Sequence, residues 1–489
     1  MPVAVVAAPD AAASPSGRRM TGCLLTLSFV LLLVVGVTGP NAASPDLGPR
    51  GWAPGSLPGH LSPAVTAVLL TGGYLLGGLG VLAGLRSRSV VPQATWLTGM
   101  LAVVGLVTAP FGSADHLNYA AYGRILLQGG DPYAVSPIGW HSGHDPITSH
   151  VEAPWMTTPS VYGPFASILQ WLTAAGGGDN LRQVVWLWQV VVVLAWLGCR
   201  WLLLRIATDR TRVDLLWTVN PVVFGAGVLG AHVDVIATVA ALLAIWLALD
   251  HPFLAGGAVG LSVCTKVTYA VVGLAVIIAW LRVKDSTGTR RIVGLVIGAL
   301  VVVVPLHLAF GLEVYGQLGK ARRSVSLATP WRLLVELLTG PLSSVVVRNL
   351  VFVLAGVMTL VLAWLLARLT RDLAPRSVAG EAMRWTFVFG TAYALAAPYS
   401  LPWYDQLAWA TLPALAASRL DLVLLGRAVV MAVAYVPGRV SGMTPTVERV
   451  TLGFRRHVAP YVGLLAWVAI VALGRGERAQ RARRPERLG

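Results

Sequence analysis

Charged residues are scarce in this chain, and cysteines are almost absent. Asp, Glu, Lys and Arg make up only 12% of the 489 residues, whereas about 25% is usual in soluble domains. The three cysteines, Cys23, Cys199 and Cys264, lie in apolar runs without a CxxC pair or a histidine close by. We therefore expect three buried thiols and no disulfide framework. No period of about 20–50 residues recurs, so a repeat architecture is not supported.

Long apolar runs fill most of the chain. Hydrophobic residues account for 56% of it, and apolar windows of roughly 17–25 residues, enough to cross a bilayer core of about 30 Å, follow one another. The sequence predicts an all-α polytopic membrane protein with about 12–14 transmembrane helices and a large extracytoplasmic loop that contains juxtamembrane helices.

The basic residues indicate orientation. The formal net charge is +16, and arginines concentrate in short connections and in the segment 475–489. Such clusters mark the cytoplasmic side and also contact anionic lipid. Nucleic acid is excluded as a partner because no soluble domain is present to carry a basic face. We divide the chain into a cytoplasmic tail (1–20), a transmembrane domain (21–474) and a basic cytoplasmic tail (475–489). The apolar run 21–38 is interpreted as an uncleaved anchor, with signal cleavage as the alternative.

The predicted spans place one long loop outside the membrane. Three predicted spans precede this loop. One full span follows the loop and leads to a basic connection, which belongs inside. The segment 161–174, which lies between the loop and that span, therefore cannot be a further crossing and is predicted to be a juxtamembrane or re-entrant helix. Two short helical pieces are expected between 253 and 282. The predicted spans are 21–38, 64–84, 93–110, 183–204, 213–230, 233–249, 291–310, 341–367, 385–399, 403–418, 421–437 and 457–474.

The loop 111–164 is where we expect the chemistry. Loops longer than about 12–15 residues without a role are uncommon, and this one collects four carboxylates and four of the nine histidines. Asp115 follows the third predicted span. An acid beside the membrane surface can act as a general base with a raised pKa, or it can cap the helix that follows.

Tyrosines and a turn follow Asp115 in this loop. Tyr119, Tyr122 and Tyr133 suit hydrogen bonding or stacking with a sugar, although tyrosine is also common at membrane interfaces. Gly129-Gly130-Asp131-Pro132-Tyr133 predicts a helix end and a turn. The polar middle of the loop is interpreted as a solvated cover rather than a metal site; its polar residues are His141, His144, Asp145 and His150.

Three further groups of polar residues are predicted at outer helix ends. His232 and Asp234 form one group, and Trp403, Tyr404 and Asp405 form another; ionisable residues at such positions are often functional. The third group is a basic cluster in the outer connection 311–330 that suits a phosphate ligand, with anionic-lipid contact or an error in the predicted topology as the alternatives. It consists of Lys320, Arg322 and Arg323.

In this order, the motifs resemble those of the C-type glycosyltransferases, integral membrane enzymes that use polyprenyl-phosphate sugars. Within that superfamily the chain is similar to the actinobacterial polyprenol-phosphate-mannose-dependent α-1,6-mannosyltransferases of lipomannan and lipoarabinomannan assembly. The chain departs from the simplest superfamily pattern because the acid follows the third span rather than the first. The residues that carry the resemblance are Asp115, Tyr119, Ala120 and Arg124, then Gly130-Asp131-Pro132-Tyr133, Thr158 to Pro164, Asn220-Pro221, His232 and Asp234, and Pro402-Trp403-Tyr404-Asp405.

The resemblance implies a plasma-membrane mannosyltransferase whose active site faces the extracytoplasmic side. Asp115 would be the general base, and the partners would be membrane lipid, the lipid-linked sugar donor and a mannan or glycolipid acceptor. No cofactor is required, although a divalent metal would be compatible. Other lipid-linked sugars, such as arabinofuranose or glucose, and a transporter or flippase of such lipids remain as alternatives. The substrate-binding residues would be His116, Tyr119, Arg124, Asp131, Tyr133, Tyr162, His232, Asp234, Lys320, Arg322, Arg323, Trp403, Tyr404 and Asp405.

Overall fold

The computed structural model describes residues 15–87, 91, 94–283, 288–317, 319 and 324–482, with side chains up to residue 475. Within these residues the chain folds into α-helices without a β-strand. The helices are α1 Pro15–Val37, α2 Pro63–Ser87, α3 Ala94–Val107, α4 Asp115–Leu127, α5 Pro164–Gly177, α6 Leu181–Ile206, α7 Arg210–Val213, α8 Pro221–Phe224, α9 Val233–Leu247, α10 Pro252–Thr265, α11 Val271–Arg282, α12 Gly288–Phe310, α13 Trp331–Leu338, α14 Ser344–Leu369, α15 Val378–Ala396, α16 Gln406–Thr411, α17 Arg419–Ala434, α18 Pro445–His457 and α19 Ala459–Ala482.

Several helices are long and apolar enough to cross a membrane. Among the described residues there are six of them, or seven when a bent pair counts as one span. The prediction of an all-α polytopic membrane protein is therefore confirmed. The six are Pro15–Val37, Pro63–Ser87, Leu181–Ile206, Gly288–Phe310, Ser344–Leu369 and Pro445–Arg475.

The predicted number of 12–14 spans exceeds what these helices support. The predicted span 403–418 is wrong as one helix, because it consists of the six-residue α16 between two short 3₁₀ turns. The predicted span 213–230 is also broken, because two π-helical turns interrupt it. Hydropathy does not detect such breaks, since the residues remain apolar while the backbone hydrogen bonds change register.

A sharp corner lies between the segment 221–229 and α9. The two pieces meet at 108°, and the corner residue Ala231 has a left-handed backbone with φ of 55°. Trp188 of α6 stabilises the corner by donating a hydrogen bond of 2.8 Å to the Ala231 carbonyl. His232 and Asp234 therefore lie at a helix end, as predicted.

Close helix packing holds α10 against α12. A Cβ at Gly298 would lie 1.9 Å from the Phe253 carbonyl oxygen, and a Cβ at Gly256 would lie 2.0 Å from that of Leu295. Small residues allow helix backbones in membranes to approach this closely. Of the three cysteines, Cys199 and Cys264 are buried as expected, but Cys23 is exposed on α1. The prediction for Cys23 was wrong because an apolar helix has an outer face that does not pack on protein.

Ion pairs fasten the polar loop to the helical body. Arg124 of α4 bonds Asp145 at 2.9 Å and Asp179 at 2.6 Å. Farther along the chain, Arg439 donates from Nε to both carboxylate oxygens of Glu152 at 3.1 Å. The segment 161–174, predicted as juxtamembrane or re-entrant, corresponds to the 14-residue α5, which runs from Pro164 to Gly177. It packs on α4 and α6, so the loop rests on a rigid base.

Candidate active site

Asp115 begins helix α4 and faces His232. Its carboxylate oxygen Oδ2 lies 3.5 Å from His232 Nδ1. The other ring nitrogen of His232, Nε2, lies 3.3 Å from Ser113 Oγ. Ser113 Oγ also accepts a hydrogen bond of 3.2 Å from the Asp115 backbone N–H. The helix-capping alternative for Asp115 does not hold, because the N-cap residue is Ala114 and Asp115 is the first residue of the helix.

The surroundings of Asp115 change its acidity. Its side chain is only 14% exposed. Burial, together with the nearby Asp234 carboxylate, raises the pKa of Asp115 to about 7, although the Lys266 ammonium lowers it in part. A carboxylate with a pKa near the operating pH is suited to general base catalysis, because it is ionised often enough and still binds a proton strongly.

An ion pair lies beside Asp115. Lys266 Nζ donates a hydrogen bond of 2.6 Å to Asp234 Oδ1, and the ammonium lies 3.8 Å from the centre of the Tyr404 ring. Asp234 is 1% exposed, yet its second oxygen, Oδ2, has no hydrogen-bond partner in the described structure. Buried carboxylate oxygens are normally satisfied, so Oδ2 is an unsatisfied acceptor in this site.

Aromatic rings form the walls around these groups. His232 stacks on Trp403 with ring centres 3.5 Å apart and planes at 13°. Tyr119 packs against Tyr162 at 5.1 Å and against Trp188 at 4.8 Å. The adjacent residues Trp403 and Tyr404 thus contact His232 and Lys266 respectively, so one short segment supports both sides of the site.

Gly163 brings the Tyr162-Gly163-Pro164 segment next to the site. Its backbone N–H donates 3.1 Å to the Thr265 carbonyl, and a Cβ here would lie 2.3 Å from the Cys264 carbonyl oxygen. Only glycine permits this approach. Because Lys266 follows Thr265 directly, the contact sets the positions of Tyr162 and Lys266 together.

Known proteins resemble the part of the chain that holds most of this site. Residues 23–282, more than half of the chain, match the family described as alpha-(1->6)-mannopyranosyltransferase, N-terminal domain. The chain belongs to the α-(1→6)-mannopyranosyltransferase family. The resemblance seen in the sequence is confirmed at this level. The matched region includes Asp115, His232, Asp234 and Lys266, whereas Trp403 and Tyr404 lie beyond it.

Two relatives carry the family name. A probable alpha-(1->6)-mannopyranosyltransferase of Mycolicibacterium smegmatis is 28% identical over 215 residues, which cover 41% of this chain and 38% of that protein. Alpha-(1->6)-mannopyranosyltransferase A of Mycobacterium tuberculosis is 33% identical over 107 residues, or 21% of this chain and 19% of that protein. The matches thus span well under half of either relative. No solved structure is significantly similar to the chain.

Two of the predicted substrate-binding residues, Arg124 and Asp405, form ion pairs with other side chains of the protein. Arg124 is held by Asp145 and Asp179. Asp405 is paired with Arg427, which also donates 2.8 Å to the Ala394 carbonyl. These contacts stabilise the fold around the site, and binding of substrate by Arg124 or Asp405 stays a prediction.

The predicted turn after α4 is confirmed. Helix α4 ends at Leu127, and Gly129 has φ of +80°. Asp131 is exposed, and its side chain accepts a hydrogen bond of 2.8 Å from the Tyr133 backbone N–H. The Tyr133 hydroxyl meets Ser167 Oγ of α5 at 2.7 Å. The turn therefore shapes the loop, while Tyr133 anchors it to α5.

His116 and the histidines of the loop have different environments. His116 is fully buried, and neither ring nitrogen has a hydrogen-bond partner among the described residues. Burial and the charge of Arg439 lower the pKa of His116 to about 3, so it is neutral at physiological pH. The exposed histidines confirm the solvated middle of the loop, while Asp145 beside them is buried; they are His141, His144 and His150.

The predicted basic cluster and the predicted lack of a cofactor requirement are not tested by the described residues. Lys320, Arg322 and Arg323 lie outside the described residues. In the part of the chain that the structure describes, no three His, Cys, Asp or Glu side chains group in a way that could hold a metal ion. The requirement for a cofactor remains a prediction.

Lys266 and Ser113 are the site residues that sequence reasoning missed. Lys266 lies between the two short helical pieces predicted in 253–282, and an ionisable residue within an apolar stretch is itself a functional signal. Ser113 carries no such signal, because serine before a helix is usual. Its contact with His232 depends on the corner before α9.

Proposed function

We propose that the protein is a membrane glycosyltransferase that transfers mannose from polyprenyl-phosphate-mannose to an α-1,6-mannan acceptor in lipomannan or lipoarabinomannan assembly. Asp115 is the general base, and the site faces the extracytoplasmic side of the plasma membrane. The observation that supports this most is the Asp115 carboxylate, which has a pKa of about 7 and lies 3.5 Å from His232 in an aromatic-walled site. Membership of the α-(1→6)-mannopyranosyltransferase family supports the choice of sugar and linkage.

In the proposed reaction, the Asp115 carboxylate accepts the proton of the acceptor 6-hydroxyl. The hydroxyl oxygen attacks the anomeric carbon of the mannosyl unit while the bond from that carbon to the phosphate oxygen breaks. Polyprenyl phosphate leaves with the bonding electrons, and direct displacement converts a β-linked donor into an α product. Positioning and electrostatic stabilisation supply much of the acceleration, because phosphate is already a good leaving group.

The polar contacts of His232 suit this role. His232 Nδ1 forms no hydrogen bond in the described structure, but a neutral ring with its proton on Nδ1 would direct that N–H to Asp115 Oδ2, 3.5 Å away, while Nε2 accepts from the Ser113 hydroxyl. His232 would therefore orient the carboxylate before the reaction.

Transfer of labelled mannose tests the function. Membranes that contain the protein should transfer mannose from polyprenyl-phosphate-mannose to a short α-1,6-mannoside, and Asp115→Asn should reduce the rate by about 10²–10⁴-fold, the usual contribution of a general base. Asp46→Asn is the matched control, because Asp46 is exposed and accepts a hydrogen bond within its local turn from Gly48 N. Wild-type transfer by Asp115→Asn would refute the assignment, and a preference for arabinose or glucose carriers would refute the choice of sugar.

Two further elements of the proposal have their own measurements. Lys320, Arg322 and Arg323 would hold the donor phosphate, so removal of these charges should raise the donor KM more than the acceptor KM; an equal change would oppose this role. The displacement does not need a metal for leaving-group activation, so transfer should persist in EDTA. Loss of transfer in EDTA with recovery on adding a divalent cation would show a metal requirement.

A further inference from the structure

The Asp234–Lys266 pair borders a pocket that is separate from the contact between Asp115 and His232. Its lining combines these two charged side chains with three tyrosines and small or apolar residues of α11, α15 and α16. With a volume of about 20 Å³, the pocket has room for one hydroxyl-sized group of a ligand rather than for a whole sugar ring. The tyrosines that line it are Tyr269, Tyr393 and Tyr404.

Asp234 supplies a hydrogen-bond acceptor to this pocket. Lys266 occupies Oδ1 at 2.6 Å, and Oδ2 is buried without a partner in the described structure. The Asp234 backbone is fixed independently, because its carbonyl accepts from Thr238 Oγ1 at 2.7 Å and from the Tyr269 hydroxyl at 3.1 Å. A fixed, unsatisfied carboxylate oxygen favours a ligand that donates a hydrogen bond.

Lys266 supplies donors at the same place. An ammonium has three N–H groups, and the bond to Asp234 uses one of them. The Tyr404 ring at 3.8 Å fixes its position by a cation–π contact. A carboxylate and an ammonium that touch each other can therefore bind one hydroxyl from both sides, as its acceptor and its donor.

We propose that Asp234 and Lys266 form a sugar-hydroxyl subsite, with Asp234 Oδ2 as acceptor and Lys266 Nζ as donor to a hydroxyl of the pyranose that lies beside Asp115. This deepens the proposed function and rests on it, since the pyranose is either the transferred hexose or the acceptor unit. Asp234 and Lys266 are thus specificity-determining residues.

A phosphate group fits the same pocket poorly. The Lys266 charge is already paired with Asp234, and the free oxygen Oδ2 would repel a phosphate oxygen. The Asp115 carboxylate adds further negative charge close to this pair, since the charges of Asp234 and Lys266 both shift its pKa. A neutral polyhydroxyl group meets no such repulsion, and its hydroxyls can satisfy Oδ2.

Binding can be measured without transfer. Saturation-transfer NMR would use methyl α-D-mannopyranoside and its monodeoxy derivatives with the full-length protein in nanodiscs. The wild type and Asp115→Asn should bind the mannoside, whereas Asp234→Asn and Lys266→Met should lose most of the signal. Asp214→Asn is the control, because it removes the carboxylate of another partly buried ion pair, with Arg200. Equal binding by Asp234→Asn and the wild type would overturn the proposal.

Transfer kinetics identify the hydroxyl and its source. A monodeoxy sugar that lacks the recognised hydroxyl should lose roughly 10- to 100-fold in kcat/KM with the wild type, the scale of a hydrogen bond to a charged group. Asp234→Asn should be slower with the parent sugar but show little further loss with that deoxy sugar. Deoxy donors and deoxy acceptors, tested separately, show which pyranose occupies the subsite.

The remaining outcomes separate this proposal from the proposed function. An equal loss over all deoxy sugars would overturn the subsite, and so would inhibition by inorganic phosphate that Lys266→Met abolishes. If wild-type membranes transferred no mannose while mannoside binding still required Asp234, the subsite would stand and the proposed function would fail. If the wild type transferred mannose normally and neither Asp234→Asn nor Lys266→Met reduced binding or transfer, the proposed function would stand and the subsite would fail.

Discussion

His232 Nδ1 faces Asp115 Oδ2 at 3.5 Å, and the two residues come from helix ends more than a hundred positions apart in the chain. The distance is longer than a strong hydrogen bond, but catalytic contacts commonly shorten when substrate binds. The ring is held in place from the other side by Trp403 and Ser113. Asp115 therefore faces a ring nitrogen that is already positioned to donate a hydrogen bond to it.

The pH dependence of transfer should report the ionisation of Asp115. Its pKa is raised to about 7, and only the ionised carboxylate can accept a proton, so kcat/KM should rise with pH to a plateau with a midpoint near that value. Asp234→Asn removes a charge that raises this pKa, and Lys266→Met removes one that lowers it. The midpoint should move to lower pH in the first variant and to higher pH in the second. Identical profiles in all three proteins would contradict the assignment of the midpoint to Asp115.

The stability of Asp115→Asn should show that its loss of activity is not a folding defect. Because the folded-state pKa of Asp115 is raised, the folded protein binds the proton more tightly than the unfolded chain. The stability that this contributes is present below the unfolded pKa and is lost as pH rises through about 7. Above that pH the ionised carboxylate opposes folding, and Asn avoids the cost. The thermal midpoint of Asp115→Asn should equal or exceed that of the wild type at about pH 8; a lower midpoint would indicate lost structural contacts.

Trp403 should support catalytic activity by stacking its ring on His232. Trp403→Ala removes a stacking contact with centres 3.5 Å apart, so kcat should fall by roughly 2- to 10-fold from the loss of the aromatic contact alone, about 0.5–1.5 kcal/mol. Trp403→Phe keeps a ring and should retain most of the activity. Steady-state kinetics on purified variants would measure this, and equal activities of the Ala and Phe variants would argue against stacking as the cause.

The sequence was sufficient to find most of the candidate site. Asp115, His232 and Asp234 were recognisable because ionisable residues at helix ends in an apolar chain are costly, and the structure brings them together. The pairing of Arg124 with Asp179, or of Asp405 with Arg427, could not be predicted, because these partners meet only through the tertiary fold. For the same reason, the contacts of Lys266 with Asp234 and Tyr404 could not be predicted from the sequence.

The fold was predictable in class but less so in detail. Apolar length identifies membrane helices, yet it cannot show where a span breaks, because a π turn or a short 3₁₀ piece has the same composition as a regular helix. The corner before His232 is such a break, at 108°. The positions of candidate functional residues at helix ends were therefore easier to predict than the number of complete crossings.

Gly163 should tolerate no side chain. Gly163→Ala would place Cβ 2.3 Å from the Cys264 carbonyl oxygen, so the Tyr162 segment or the end of α10 must shift, and Lys266 with it. Transfer should fall by at least about tenfold, since misplacement of about 1 Å can cost 10²-fold. Gly356→Ala is the matched control, because nothing lies within 4 Å of its Cβ position in helix α14; it should be neutral or stabilise the helix by up to about 1 kcal/mol. Similar losses in both variants would show that the close contact at Gly163 is not the cause.

The ion pair between Arg439 and Glu152 should hold the polar loop in place. Its side chains are only 9% and 14% exposed, and Arg439 also donates 2.8 Å to the Asn41 carbonyl. Glu152→Ala leaves a largely buried guanidinium without its carboxylate, so it should lower the free energy of unfolding by about 3 kcal/mol. The exposed pair Arg332–Glu336 offers a control, since Glu336 is 40% exposed and Glu336→Ala should cost less than about 1 kcal/mol. Thermal unfolding of the detergent-solubilised variants measures the difference, and equal costs would mean that the loop does not depend on this pair.

Because Arg439 also lowers the pKa of His116, Arg439→Met should raise the pKa of that buried imidazole, which NMR titration of the labelled histidine can detect.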